Sequence, residues 1–118
     1  MVEKYPQSFS LKKSEPVADP PKVSILVTTY NQERLISQAV NSILSQEVNF
    51  AYEIVIGEDA STDRTREIVV ELGKQHPGKI RVLLRNPEEA NRDRHIGLAG
   101  KINYLTALRE CRGEYIAI

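Results

Sequence analysis

Two short polar turns carry the side chains of this sequence that could do chemistry. Thr28, Thr29 and Tyr30 follow one apolar run, and Asp59 follows a second. An ionised carboxylate only accepts hydrogen bonds, so Asp59 suits the imide N–H of a uracil or thymine base. The ring of Tyr30 can stack on a planar base, and the threonines offer hydroxyls to the base or the ribose. These residue types predict a nucleotide site.

Each of these residues also has a simpler interpretation. Asp59, Ser61 and Asp63 could cap the helix that follows them by accepting from its free N–H groups. An edge tyrosine such as Tyr30 could simply cover part of the core. For Asp59 the neighbouring Tyr30 turn favours nucleotide recognition, whereas for Ser61 and Asp63 capping is the favoured interpretation.

The sequence lacks several other catalytic and nucleotide-binding motifs. The turn at residues 28–32 reads Thr-Thr-Tyr-Asn-Gln, without the glycines that let backbone touch a dinucleotide pyrophosphate. A P-loop, a nucleophile elbow and a Cys–His pair are also missing. The first turn and the acidic turn at residues 58–63 therefore remain as the candidate site.

The composition excludes several classes of protein. The chain has 118 residues with 16 Lys+Arg and 16 Asp+Glu, which argues against nucleic-acid binding and polybasic membrane anchors. Cys111 is its single cysteine, so it can form no internal disulfide, which favours a reducing compartment and a cytoplasmic location. It contains no apolar run approaching the roughly 20 residues of a membrane span, and no secretory signal.

The spacing of apolar residues predicts alternating strands and helices. Strands are expected at residues 23–29, 52–57, 80–84 and 114–118. A first helix is expected from Leu35 to Leu44, with an apolar stripe that includes Ala39. A second is expected around Ile68–Leu72 and should stop at His76–Gly78. A third is expected over Lys101–Arg112, ending at Gly113, and its inward residues are Tyr104, Leu105, Leu108 and Cys111. This order predicts an α/β fold with a parallel sheet and helices on its faces. Ligands of such sheets bind outside the carboxyl ends of the strands, which is where both turns fall.

The two ends of the chain differ from its body. Residues 1–21 hold four of the six prolines and no apolar period, which predicts a flexible lead-in from which Phe9 and Leu11 could dock on the body. Residues 22–118 form the predicted domain. Because the chain stops within an apolar strand, we expect it to be a piece of a longer protein. Its exposed sheet edge would allow self-association.

Residues 86–100 are predicted to be a long loop. Arg92, Arg94, His95 and Lys101 lie in or beside it and could form a flap over a diphosphate. Because acidic residues are mixed among them, solvated surface charge is the favoured interpretation. Asn103, in the helix that follows, is not assigned a role.

Three segments resemble family 2 glycosyltransferases, which are inverting enzymes of the GT-A fold. These are VSILVTTYN at Val23–Asn31, YEIVIGEDASTDRT at Tyr52–Thr65 and ALRECRGEYIAI at Ala107–Ile118. The resemblance covers residues 22–118 in the order found in the family. It implies a Rossmann-like three-layer sandwich, truncated after its fourth strand, that forms the nucleotide-sugar-binding half of the domain.

The resemblance also implies a ligand and its contacts. The donor would be a UDP-sugar in most members and a dTDP- or GDP-sugar in some. Asp59 stands at the position of the family's base-reading aspartate, and Thr28 and Tyr30 stand where the first turn lines the uridine pocket. Glu33 matches an acidic position that faces the nucleotide. Its alternative is a first-turn glutamate favoured by the helix dipole.

The family's catalytic residues are missing from these 118 residues. Its D-x-D motif, which binds Mg²⁺ or Mn²⁺, is expected just after Ile118, and the catalytic base later still. We therefore expect a donor-binding part that transfers no sugar alone. The full-length enzyme would glycosylate an acceptor hydroxyl, carbohydrate or lipid-linked, for example in cell-surface polysaccharide synthesis. The alternative is a non-catalytic module that binds a nucleotide or a partner.

Overall fold

The computed structural model describes residues 9–11 and 20–118, whose strands form one five-stranded sheet. The strands are β1 (Phe9–Leu11), β2 (Val23–Thr29), β3 (Tyr52–Glu58), β4 (Ile80–Arg85) and β5 (Tyr115–Ala117). Their order across the sheet is β1-β4-β3-β2-β5. Strands β2 to β5 run parallel, and β1 pairs antiparallel with β4. The mostly parallel sheet is confirmed, and the four predicted strands lie within one residue of their expected ends.

Helices cover both faces of this sheet. They are α1 (Ile36–Leu44), α2 (Thr65–Gln75), α3 (Pro87–His95) and α4 (Lys101–Glu110). Ile54 and Ile56 of β3 pack with α1 and α2, while Val55 between them packs with Ala107 of α4. Successive strand residues point to opposite faces, and every residue of β3 is buried, so β3 is covered by helices on both sides. The result is the expected Rossmann-like three-layer arrangement.

The strand order reverses at β2. From β2 the chain continues to β3 and β4 on one side, and then returns through α3 and α4 to β5 on the other side. The helices follow this reversal, because α1 and α2 pack on one face and α4 packs on the opposite face. A crevice therefore opens at the carboxyl end of β2.

The long loop predicted for residues 86–100 is wrong, because Pro87–His95 forms helix α3. Asn86 caps this helix by accepting from the N–H groups of Glu88 and Glu89 at 2.9 and 3.2 Å. Proline at the first helical position adds a second start signal. The helix buries only Ala90, so it lacks the apolar stripe on which the sequence prediction depended.

The predicted end of the last helix is also wrong. Helix α4 ends at Glu110, because Cys111 has an extended backbone with φ −68° and ψ 133°. Gly113 follows two residues later and has a different role. A Cβ atom there would lie 2.5 Å from the backbone N of Ser24, so the glycine permits close approach to β2.

Two of the predicted apolar stripes are confirmed except at single positions. In α1, Ile36 and Val40 are buried, but Ala39 is exposed and Leu35 precedes the helix. In α4, Leu105 is 47% exposed. The predicted Tyr104, Leu108 and Cys111 do pack against the core, and the buried residues Asn103, Thr106 and Ala107 lie beside them. The stop of α2 at His76–Gly78 is confirmed.

Most of the predicted N-terminal lead-in, at residues 1–8 and 12–19, lies outside the described residues. Within it, Phe9–Leu11 pairs with residues 83–85 as an edge strand, so this segment docks on the body through its backbone. Across residues 9–11 and 20–118, no helix combines the length and the apolar content that crossing a membrane requires.

Candidate functional site

A cleft of about 220 Å³ opens at the carboxyl ends of β2 and β3, where the strand order reverses. Its lining comes from these strand ends and from the start of α4: Thr28, Thr29, Tyr30, Gln32, Asp59, Gly100 and Asn103. Ligands of open parallel sheets bind at such a point. Four of the five predicted donor-binding residues, all but Glu33, are therefore brought together in one cleft.

Parallel pairing places the two polar turns side by side. Thr28 pairs with Gly57, and Thr29 pairs with Glu58. The N–H of Asp59 then donates to the carbonyl oxygen of Thr29 at 3.1 Å. Because both strands end at this edge of the sheet, Tyr30 and Asp59 line the same cleft.

Helix α4 closes one side of the cleft through Asn103, which packs over Gly57. Asn103 Nδ2 donates to the carbonyl oxygen of Gly57 at 3.0 Å, and the residue is 1% exposed. A Cβ atom at Gly57 would lie 2.9 Å from Asn103 Oδ1 and 3.2 Å from Ala107 Cβ. A glycine is therefore required for α4 to sit this close. Within the described part of the chain, no donor reaches Asn103 Oδ1.

The carboxylate of Glu58, the last residue of β3, and that of Asp59, the next residue, have different surroundings. Glu58 is fully buried and accepts from the N–H groups of Ala60 and Ser61 at 3.1 and 2.9 Å. Arg66 pairs with it at 3.3 Å. These contacts hold a turn in which Ala60 has a φ of 58°, uncommon for a residue with a side chain. Asp59 lines the cleft instead.

Two arginines from β4 and α3 hold Asp59. Arg85 Nη1 donates to Asp59 Oδ1 at 3.4 Å, and Arg85 Nη2 pairs with Asp93. Arg94 Nη2 donates to the backbone carbonyl of Asp59. Asp59 is 5% exposed, and a carboxylate this buried is retained as an ion only when it is paired and hydrogen-bonded.

Arg94 also covers the ring of Tyr30. Its Cζ atom lies 4.0 Å from the ring centroid, within the range of a cation–π contact. Tyr30 remains 39% exposed. The prediction of solvated surface charge for residues 86–100 is thus wrong for Arg94. It is correct for Arg92, whose side chain is 65% exposed.

The turn after β2 is bonded to the turn after β3. Ser61 Oγ accepts from the N–H of Asn31 at 2.8 Å, and Asn31 Oδ1 accepts from the N–H of Thr62 at 2.8 Å. Ser61 therefore joins the two turns, and its predicted capping of α2 is wrong. Asp63 does cap that helix, because its Oδ1 accepts from the N–H of Thr65 at 2.8 Å.

Glu33 lies outside the cleft. Its Oε1 accepts from the N–H of Arg64 at 2.9 Å, and its own N–H donates to Asp63 Oδ2 at 3.2 Å. Helix α1 begins only at Ile36, so Glu33 is not in its first turn; it binds the start of α2 instead. Desolvation opposes ionisation of Asp63, but hydrogen bonds from Thr65 and Glu33 outweigh it and lower the pKa of Asp63.

Several residues of the site were given no individual role from the sequence, although Gln32 lies in the predicted first turn. Gln32 accepts from Thr29 Oγ1 at 2.9 Å at the edge of the cleft. Gly100 immediately precedes α4 and has a φ of 79°. This is the left-handed backbone conformation that glycine adopts more easily than other residues. Arg85 and Asn103 carry no local signal, because only the packing of β4 and α4 brings them to the cleft.

The fold and the cleft define an α/β domain of the nucleotide-binding kind. Residues 24–118 match the model of the family described as glycosyl transferase family 2. The chain belongs to this family, and the resemblance found in its sequence is confirmed.

Curated relatives extend well beyond the matched region. A beta-monoglucosyldiacylglycerol synthase of Nostoc sp. is 35% identical over 99 residues, which cover 83% of this chain and 19% of that protein. An uncharacterized protein of Mycobacterium tuberculosis is 34% identical over 96 residues, covering 81% of this chain and 25% of the relative. The chain thus spans a quarter or less of the length of these two relatives.

A solved structure is similar in fold. The mannosyltransferase of Pyrobaculum calidifontis, in complex with GDP-Man and Mn²⁺, shares 26% identity with a TM-score of 0.50, over 63% of this chain and 23% of that one. In residues 9–11 and 20–118, no three His, Cys, Asp or Glu side chains are grouped so that they could hold a metal ion. We therefore assign none of the described residues to a divalent cation.

Proposed function

We propose that the cleft binds the nucleoside of a UDP-sugar and that the whole protein transfers the sugar to an acceptor hydroxyl. One observation carries this proposal: Tyr30 and Asp59 line the same cleft at the point of strand reversal. In this proposal Tyr30 stacks on the uracil and Asp59 accepts from its imide N–H. Thr28 and Thr29 bond the base or the ribose.

The charges around the cleft support an anionic ligand. Asp59 accepts a hydrogen bond from the base, while the guanidinium of Arg85 offsets the negative charge of Asp59. Arg94 lies between the Tyr30 ring and the Asp59 carbonyl, so it brings a positive charge to the opening of the site. A guanidinium is well suited to pair with a diphosphate.

For the whole protein we propose inverting sugar transfer. The acceptor oxygen forms a bond to the anomeric carbon, and the bond from that carbon to the nucleoside diphosphate breaks. We propose that the acceptor is a carbohydrate or is lipid-linked, and that the protein acts in cell-surface polysaccharide synthesis. We also propose a cytoplasmic location, which the free thiol of Cys111 supports. We propose that the cation of the family, Mg²⁺ or Mn²⁺, is bound by residues other than those described, and that residues 1–118 alone transfer no sugar.

Nucleotide binding is tested by NMR titration of the isotopically labelled 118-residue chain with millimolar UDP. We expect the signals of Thr28, Tyr30 and Asp59 to shift in a saturable manner. Asp59→Asn removes the charge and replaces one acceptor oxygen by a donor, so it should weaken binding by about ten-fold.

Glu47→Gln is the matched control, since Glu47 is an exposed acid in the loop after α1. It should bind UDP like the unmodified chain. If UDP shifts no signal around the cleft, or if Asp59→Asn binds as tightly as Glu47→Gln, the proposed site is wrong.

A further inference from the structure

Three charged side chains form a row from the cleft to helix α3. Arg85, at the end of β4, bonds Asp59 through Nη1 at 3.4 Å and pairs with Asp93 through Nη2. The side chains of Asp59, Arg85 and Asp93 are 7%, 3% and 16% exposed. One buried guanidinium is therefore shared by two carboxylates, and only Asp59 lines the cleft.

We infer that Arg85 and Asp93 are positioning residues that keep one oxygen of Asp59 available to the base. This inference rests on the proposed role of Asp59 in base recognition. A guanidinium that meets a single carboxylate tends to bind both of its oxygens at once. Here the two Nη atoms of Arg85 go to different carboxylates, so Asp59 is held through Oδ1. Among the described residues, none donates a hydrogen bond to Asp59 Oδ2.

Asp93 is the residue that divides the guanidinium. Without the negative charge of Asp93, Nη2 of Arg85 would lose its attraction to α3, and a turn of Nη2 toward the second oxygen of Asp59 would be favoured. Arg94, the next residue of α3, holds the backbone carbonyl of Asp59. Helix α3 thus fixes Asp59 at its side chain through Arg85 and at its backbone directly.

This arrangement has a consequence for base selectivity. Uracil presents an N–H donor at N3, whereas cytosine presents an unprotonated acceptor nitrogen there. An available carboxylate oxygen accepts from the first and repels the second. The ratio of UDP to CDP affinity therefore reports the position of the Asp59 carboxylate. A loss of folding stability alone would weaken both ligands equally and leave the ratio unchanged.

The experiment compares UDP and CDP affinities by NMR titration of the 118-residue chain and two variants. We expect the unmodified chain to prefer UDP by about ten-fold, and Asp93→Asn to reduce this preference by about three-fold or more. Glu89→Gln is the matched control on the same helix, because Glu89 pairs with the exposed Arg92 at 3.5 Å. It should keep the full preference.

A measurement on the unmodified chain covers the case in which Asp93→Asn does not fold. The side-chain nitrogen signals of Arg85 should shift when UDP binds and should shift less with CDP. The inference is overturned if Asp93→Asn folds and retains the full preference, or if UDP leaves the Arg85 signals in place. If the unmodified chain binds UDP and CDP equally, base reading by Asp59 is wrong and the inference is overturned with it.

Discussion

Ser24 Oγ donates to Glu53 Oε2 at 2.5 Å at the amino ends of β2 and β3, opposite the cleft. Glu53 is fully buried, accepts from the N–H of Arg112 at 2.7 Å and pairs with Arg81 at 3.0 Å. Burial alone would raise the pKa of Glu53, but the bonds from Ser24 and Arg112 and the charge of Arg81 hold it below its ordinary value. This network fastens the segment between α4 and β5 to the sheet.

We expect Glu53→Gln to destabilise the chain strongly. The change removes the closer carboxylate partner of the largely buried Arg81 guanidinium and leaves it with Glu110 at 3.5 Å, and breaking a buried pair costs about 3–5 kcal/mol. Urea unfolding at neutral pH measures the difference. Glu71→Gln, on the exposed surface of α2, should change the free energy of unfolding by less than about 0.5 kcal/mol. Equal stability of the two variants would contradict the role of the network.

The same carboxylate predicts how stability depends on pH. Because the pKa of Glu53 is lower in the folded state, its ionisation stabilises the fold fully above the ordinary glutamate pKa of about 4.3. This contribution is lost as the pH falls from there through the folded-state pKa. Urea unfolding at a series of acidic pH values should show a shallower loss in Glu53→Gln than in the unmodified chain. Parallel curves would argue against it.

We expect the ring of Tyr30, and not its hydroxyl, to bind the base. Stacking of a base on an aromatic side chain contributes about 1–3 kcal/mol, so Tyr30→Ala should weaken UDP binding by about ten-fold or more. Tyr30→Phe keeps the ring and should bind within about two-fold of the unmodified chain. Calorimetric or NMR titration with UDP gives both values. A Tyr30→Ala variant that binds normally would exclude stacking at this position.

We expect Gly57→Ala to disturb the side of the cleft that helix α4 closes. The added Cβ would lie 2.9 Å from Asn103 Oδ1 and 3.2 Å from Ala107 Cβ, so the Asn103 side chain or α4 itself must shift, and overpacking of this kind costs about 1–3 kcal/mol. Gly78→Ala is the control, because nothing lies within 4 Å of its added Cβ. Urea unfolding should separate the two variants, and the Thr28 signal should move only in Gly57→Ala. A neutral Gly57→Ala would show that α4 is not held at this contact.

The parts of the site that the sequence predicted follow directly from local patterns. The β-branched run before Thr28 and the apolar run before Asp59 indicate parallel strands, and parallel strands end at one edge of a sheet. That rule places Tyr30 and Asp59 at one edge of the sheet, and the pairing of β2 with β3 brings them into one cleft. Helix α3 was not predicted because it buries only Ala90 and so has no apolar stripe. Its Asn-Pro-Glu-Glu start nevertheless matches a helix N-terminal capping sequence.

The sequence by itself determined the order of strands along the chain and the two turns that meet at the cleft, because apolar periodicity and turn residues act over a few positions. The family followed from the resemblance of three of its segments. Only the tertiary structure decided which charges serve the site. The sequence offers Arg94 only as one of several cations that could form a flap, and it assigns no role to Arg85 or Asp93. Arg85 reaches Asp59, and Arg94 reaches both Asp59 and Tyr30, because β4 pairs beside β3 and α3 folds back over the strand ends. These contacts join residues more than 20 positions apart, and packing of the whole sheet sets them, not local propensity.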